Sequence, residues 1–86
     1  MAYSVKIKAS AAKALKELDK GTRERLIYRI DQLKSDPHVG IALRGELSGL
    51  RRIRIGTYRV IYELYESALT VLVVRIRHRR EVYRRE

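Results

Sequence analysis

The chain has 86 residues, room for one domain (1–86) with a modest core. Twenty lysines and arginines against ten acids leave a formal net charge of +10, which favours a polyanionic partner and binding that weakens steeply with salt. The absence of cysteine excludes disulfides and thiolate metal sites. No apolar run approaches the ~18 residues of a spanning helix or resembles a signal peptide, so a cytoplasmic protein with no membrane partner is expected.

Tyr3, Val5 and Ile7 alternate with Ser4, Lys6 and Lys8, the period of a strand with one buried face. The period then lengthens. Ser10 reads as an N-cap, the run to Lys20 places Leu15 and Leu18 on one helical face, and Gly21 reads as the stop. A second helix is expected from Thr22 to about Ser35, with Leu26, Ile27, Ile30 and Leu33 inward and Arg23, Arg25, Arg29 and Lys34 outward. Asp36-Pro37 ends it, because proline lacks a backbone donor and restricts its predecessor. Residues 38–49 hold three of the five glycines and read as a loop with one helical turn around Leu43 and Leu47. Three β-rich runs follow, Leu50 to Ile55, Tyr58 to Tyr65 and Leu69 to Arg77. The order predicts an α+β fold: an N-terminal strand and helical hairpin, packed on one face of an antiparallel sheet.

After Leu50 the chain uses arginine and no lysine: Arg51, Arg52, Arg54, Arg59, Arg75, Arg77, Arg79, Arg80, Arg84 and Arg85. Arginine offers a planar fork of donors that matches a phosphate, whereas lysine is a point charge, so the bias favours nucleic acid over a merely solvated basic face. A two-residue turn at Gly56-Thr57 pairs Arg54 with Arg59, Ile53 with Val60 and Arg52 with Ile61. A three-residue loop over Glu66 to Ala68 would then set Arg59 opposite Arg75, Ile61 opposite Val73, Val60 opposite Val74 and Tyr62 opposite Leu72. In that register Arg52, Arg54, Arg59, Arg75 and Arg77 gather around Ile61 and Val73 on the face away from the helices. Like charges across a ladder repel, which a purely structural sheet has little reason to tolerate. Tyr58, Tyr62 and Tyr65 read as sheet packing, two of them toward the helices.

The stretches LRRIRIGTYRVIYEL and LTVLVVRIRHRREVYRR resemble the RelE/ParE superfamily of toxins from toxin-antitoxin pairs, and more closely its RelE branch. The resemblance runs through nearly the whole chain and is most specific at GTYRVIY and the closing HRREVY. It implies a ribosome-dependent, metal-independent endoribonuclease that needs no cofactor and cuts mRNA in the A site through the ribose 2′-hydroxyl. The products would be a 2′,3′-cyclic phosphate and a 5′-hydroxyl. The implied partners are a cognate antitoxin, the ribosome with its 16S rRNA, and mRNA. By resemblance, Arg52, Arg54 and Arg59 match basic positions of the hairpin, either Arg77 or Arg79 matches a terminal arginine, and Tyr83 matches a tyrosine that stacks on an mRNA base.

Arginine is effectively always protonated, so Arg52 and Arg54 are poor candidates for the general base that lysine supplies in some relatives. Histidine is the side chain that ordinarily changes charge nearest neutral pH, so His78 is a candidate acid or base. Glu81 reads more simply as a local counter-charge to Arg77 or Arg85. Lys6, Lys8, Lys13 and Lys16 suit either ribosomal RNA phosphate or solubility. Two other functions compete: a ParE-like gyrase inhibitor on the same fold, and a non-catalytic RNA- or antitoxin-binding remnant.

Overall fold

The computed structural model describes residues 2–78. They form β1 (Ser4–Ile7), α1 (Ala9–Lys16), α2 (Lys20–Asp31), β2 (Ile41–Ala42), β3 (Leu50–Ile55), β4 (Tyr58–Tyr65) and β5 (Thr70–His78), with 3-10 turns at Gln32–Lys34 and Gly45–Leu47. The strands make one sheet ordered β1-β5-β4-β3-β2, with the helices on one face, as the α+β expectation requires. The sheet is mixed, however, because β1 lies parallel to β5 while every other neighbour is antiparallel. Parallel strands need a long crossover, and here everything between β1 and β5 serves as one. Ala11 and Leu15 of α1, Leu26 and Ile30 of α2, and Leu33 meet Ile53, Ile55, Val60, Tyr62, Val71, Val73 and Ile76 in a single core.

Both helix starts differ from expectation. β1 feeds directly into α1: the Lys8 amide donates to the Val73 carbonyl at 2.9 Å, and Lys8, not Ser10, is the N-cap, without a side-chain cap. Gly21 is not a stop but lies in the first turn of α2. Asp19 caps that helix by accepting from the Thr22 amide at 3.1 Å, and the Thr22 hydroxyl, followed by that amide, holds its carboxyl below the usual range. Arg23 closes the helix connection by donating to the Leu18 carbonyl at 2.9 Å. Ile27, expected inward, is 45% exposed, because Leu26, Ile30 and Leu33 already fill the sheet-facing stripe and the next position turns about 100° away.

The hairpin of β3 and β4 has the expected register, with Arg54 opposite Arg59 and Arg52 opposite Ile61. The register of β4 and β5 departs from it. Tyr65 pairs with Thr70, so the connection holds four residues, and Leu69 turns the corner with a φ of 48°. Tyr62 then faces Val73, not Leu72, and Ile61 faces Arg75, not Val73, leaving Val74 as the extra residue of a β-bulge. Beyond the bulge Val60 pairs with Ile76, not Val74, and Arg59 with Arg77, not Arg75. The bulge reverses the alternation of β5, so Val71, Val73 and Ile76 all reach the core although the last two are three apart. It also coincides with the end of β1, whose last ladder partner is Val73.

Residues 38–49 contain a strand that periodicity did not reveal: Ile41 and Ala42 pair with Arg52 and Arg51. The expected helical turn is present as the 3-10 turn. This segment hangs on Tyr62. Its fully buried phenol donates to the Pro37 carbonyl at 2.6 Å and accepts from the Gly40 amide at 3.0 Å. Arg51 donates to the Gly40 carbonyl at 2.8 Å. A Cβ on residue 40 would stand 2.5 Å from the Tyr62 hydroxyl and 3.0 Å from the Arg52 carbonyl.

Gly40→Ala therefore overpacks the junction and is expected to cost about 1–3 kcal/mol in urea unfolding. Tyr62→Phe orphans two backbone groups and should cost about 1–3 kcal/mol. Burial pushes the Tyr62 hydroxyl above the ordinary 10, against the lowering influence of the Gly40 amide and Arg51. The folded chain thus keeps a proton that the unfolded chain releases, and stability is full below pH 10 and lost as pH rises through the folded value. Unfolding series across that alkaline range should show a shallower loss in Tyr62→Phe than in the parent.

Candidate nucleic-acid interface

The sheet face turned away from the helices is built by alternation. β3 contributes Arg52 and Arg54, β4 contributes Arg59 and Ile61, and the bulged β5 contributes Arg75 and Arg77. Val73, expected here, lies instead in the core with no exposed surface. The ladder aligns Arg54, Arg59 and Arg77 side by side on three adjacent strands, a row spanning about 10 Å at the usual strand spacing. Arg52 and Arg75 form the next rank, separated by Ile61.

The row is graded in burial. Arg54 is exposed, Arg77 is half-buried, and Arg59, on the middle strand, retains only 6% exposure. Ile61 beside it retains 5%. A cation at this depth is poorly screened by solvent and salt, so an approaching anion meets a stronger field than at an exposed arginine. The side chain also brings a fixed fork of donors. The arrangement suits a phosphodiester that acquires charge.

The other expected site residues are placed differently. His78, the partner of Tyr58 on the ladder, lies on the helix side, where the two rings meet edge to face with centroids 5.1 Å apart and an interplanar angle of 89°. The structure thus does not bring its imidazole into the arginine row, although the neighbouring Arg77 belongs to it. Arg79 and Tyr83 lie outside the described residues. Arg51 is structural, holding the carbonyls of Gly40 and, at 3.3 Å, His38. His38 is exposed and meets Glu66 at 3.2 Å. Tyr58 and Tyr62 face the helices as expected, while Tyr65 is exposed and donates to Glu63 at 2.7 Å.

Sequence reasoning missed a basic cleft at the margin of this face. Lys8, Ser10, Ala11 and Ala14 line one side, and the β5 residues from Val74 to Arg77 line the other. Its signal was legible in part: the apolar positions of β5 shift from odd to even numbers after Val73, which marks the bulge.

Two helices packed on one face of a five-stranded sheet form a fold shared with toxin chains of type II toxin-antitoxin complexes. Residues 5–83 match the family model described as ParE toxin of the type II toxin-antitoxin system parDE, and the chain belongs to the RelE/ParE superfamily of toxins. It is 33% identical over 87 residues to Toxin RelG of Mycobacterium tuberculosis, covering 99% of this chain and 100% of that protein. The toxin-antitoxin complex RelBE2 of the same organism contains a chain superimposing with a TM-score of 0.86 at 31% identity, over 92% of this chain and 100% of that one. A chain of the archaeal RelE-RelB complex of Pyrococcus horikoshii gives 0.77 at 30% identity, over 95% and 100%.

The aligned arginines carry an expected signature in stability. Removing one charge in Arg54→Gln relieves cross-strand repulsion and should raise stability by about 0.2–1 kcal/mol at low ionic strength. Denaturant titrations at low and high salt should show that gain fading as the charges are screened.

Proposed function

We propose that the chain is an mRNA interferase of the RelE type, a ribosome-dependent endoribonuclease that arrests translation and is held inactive by a cognate antitoxin. The observation that carries this reading is the row of Arg54, Arg59 and Arg77, with its central member buried. In the proposed reaction the ribose 2′-hydroxyl attacks the adjacent phosphorus, the bond to the 5′-oxygen of the next nucleotide breaks, and a 2′,3′-cyclic phosphate remains. Arg59 and Arg77 hold the non-bridging oxygens as negative charge grows in the phosphorane, while Arg52 and Arg54 orient the strand. Arg77 is the favoured terminal arginine because the bulge aligns it with Arg59. Arg79 is the alternative, and Tyr83 is assigned to base stacking.

The arginines contribute charge and orientation rather than proton abstraction, because a guanidinium is a hydrogen-bond donor with no acceptor for a proton. His78 is the remaining described candidate for proton transfer, and its packing against Tyr58 supports at least a role in fixing the end of β5 next to Arg77. An antitoxin partner is supported by the complexes to which the fold is similar and by the exposed apolar side chains Ile27, Tyr28, Val39 and Ile41. A second reading, gyrase inhibition, is favoured by the ParE description of the matching family model.

Primer extension on a defined mRNA, with and without programmed ribosomes, tests the proposal. Cleavage within A-site codons only when ribosomes are present is expected. Arg59→Ala should lower kcat about 10²–10³-fold with the fold and antitoxin binding preserved. Absence of cleavage by folded protein, together with inhibition of gyrase supercoiling, would establish the second reading instead.

A further inference from the structure

The cleft lies at the β5 margin because β1 stops at Ile7, opposite Val73, and among the described residues the second half of β5 has no outer strand neighbour. α1 runs along the gap, and the open cleft has a volume of about 320 Å³. Lys8, Arg75 and Arg77 contribute three cations to the lining, Ser10 contributes a hydroxyl, and no acidic side chain is among the described residues that line it. Lys8, Ser10 and Arg75 are exposed.

Arg77 belongs both to this lining and to the row with Arg59 and Arg54. The arginine-bearing surface therefore continues across β3, β4 and β5 into the space beside α1. A single-stranded backbone laid over Arg59 and running across the strands reaches this cleft next. Its repeating unit is an anion with several acceptor oxygens, which suits two arginine forks, an ammonium and a hydroxyl.

We infer that Lys8, Ser10 and Arg75 form, with Arg77, a second phosphate subsite that holds an RNA phosphodiester neighbouring the scissile one. Its role is to fix the direction in which the RNA crosses the sheet. The inference rests on the proposed RNA substrate but not on cleavage itself.

The test uses the full chain and a fluorescent single-stranded RNA with 2′-O-methyl riboses, which lacks the nucleophile and so reports binding alone. Affinity is measured by anisotropy across a salt series for the parent, Lys8→Ala, Arg75→Ala, the double variant, and Lys16→Ala as a basic position on α1 outside the cleft. Circular dichroism confirms that each variant is folded. Each cleft variant should weaken binding, and the double variant should flatten the slope of log K against log salt by about 0.7, the share of one phosphate, rather than two. Lys16→Ala should leave the slope unchanged. An unaltered slope in the double variant, an equal change from Lys16→Ala, or no binding at low salt would overturn the subsite. So would a polyglutamate peptide whose binding depends on Lys8 while that of RNA does not. If the parent fails to cut mRNA on ribosomes yet the slope changes as expected, the interferase reading falls and the subsite stands.

Discussion

The extra residue at Val74 is the constraint on which the arginine-bearing face depends. A regular β5 would keep one parity throughout, so that with Val71 and Val73 inward, Arg75 and Arg77 would also point into the core, where burying two more cations is prohibitively unfavourable. The bulge exchanges the faces between Val73 and Ile76. It satisfies both requirements of the strand, an apolar inner face along its length and cations on the outer face of its second half. The same local twist coincides with the end of β1 and the opening of the cleft, so one irregularity sets the inner core, the arginine row and the margin of the sheet.

Much of this was legible in the sequence, and the boundary of legibility has physical causes. The β3-β4 register followed from Gly56-Thr57, because a two-residue turn leaves a hairpin no freedom to slip. The β4-β5 register did not follow, because Leu69 belongs to the turn in a left-handed conformation that its type does not announce, and because a bulge adds a residue without adding a turn signal. The arginines nevertheless fell on the expected face, since moving any of them inward carries a cost that outweighs the error in pairing. β2 was missed because two residues cannot show a period. Asp19 caps α2 just ahead of Gly21, which had read as the end of the first helix, and this shows how a side-chain cap outranks a nearby glycine in fixing a helix start. The candidate site was legible as a set of residue types, but the separation of His78 from the row required knowing which side of a bulged strand it occupies.

The two consecutive arginines at the start of β3 have opposite assignments. Arg51 turns to the side of Tyr62 and binds backbone carbonyls, whereas Arg52 turns to the open face. The Tyr62 junction is thereby connected to the functional surface through the backbone of β3: the groups that lock residues 37–40 also fix the strand that presents Arg52 and Arg54. A lesion at Gly40 or Tyr62 would reach the arginine face through loss of strand position, without touching it.

The aligned cations also bear on what stability means for this domain. Repulsion between arginines aligned across a ladder raises the free energy of the folded chain, and a polyanion that bound the row would return that energy as part of its own binding. By mass action such a ligand acts as a folding partner, drawing the population out of the unfolded ensemble in proportion to its concentration over its dissociation constant. The melting temperature of the purified chain therefore describes a reference state. With such a ligand bound, the effective robustness of the domain would be a joint property of the protein and the anion.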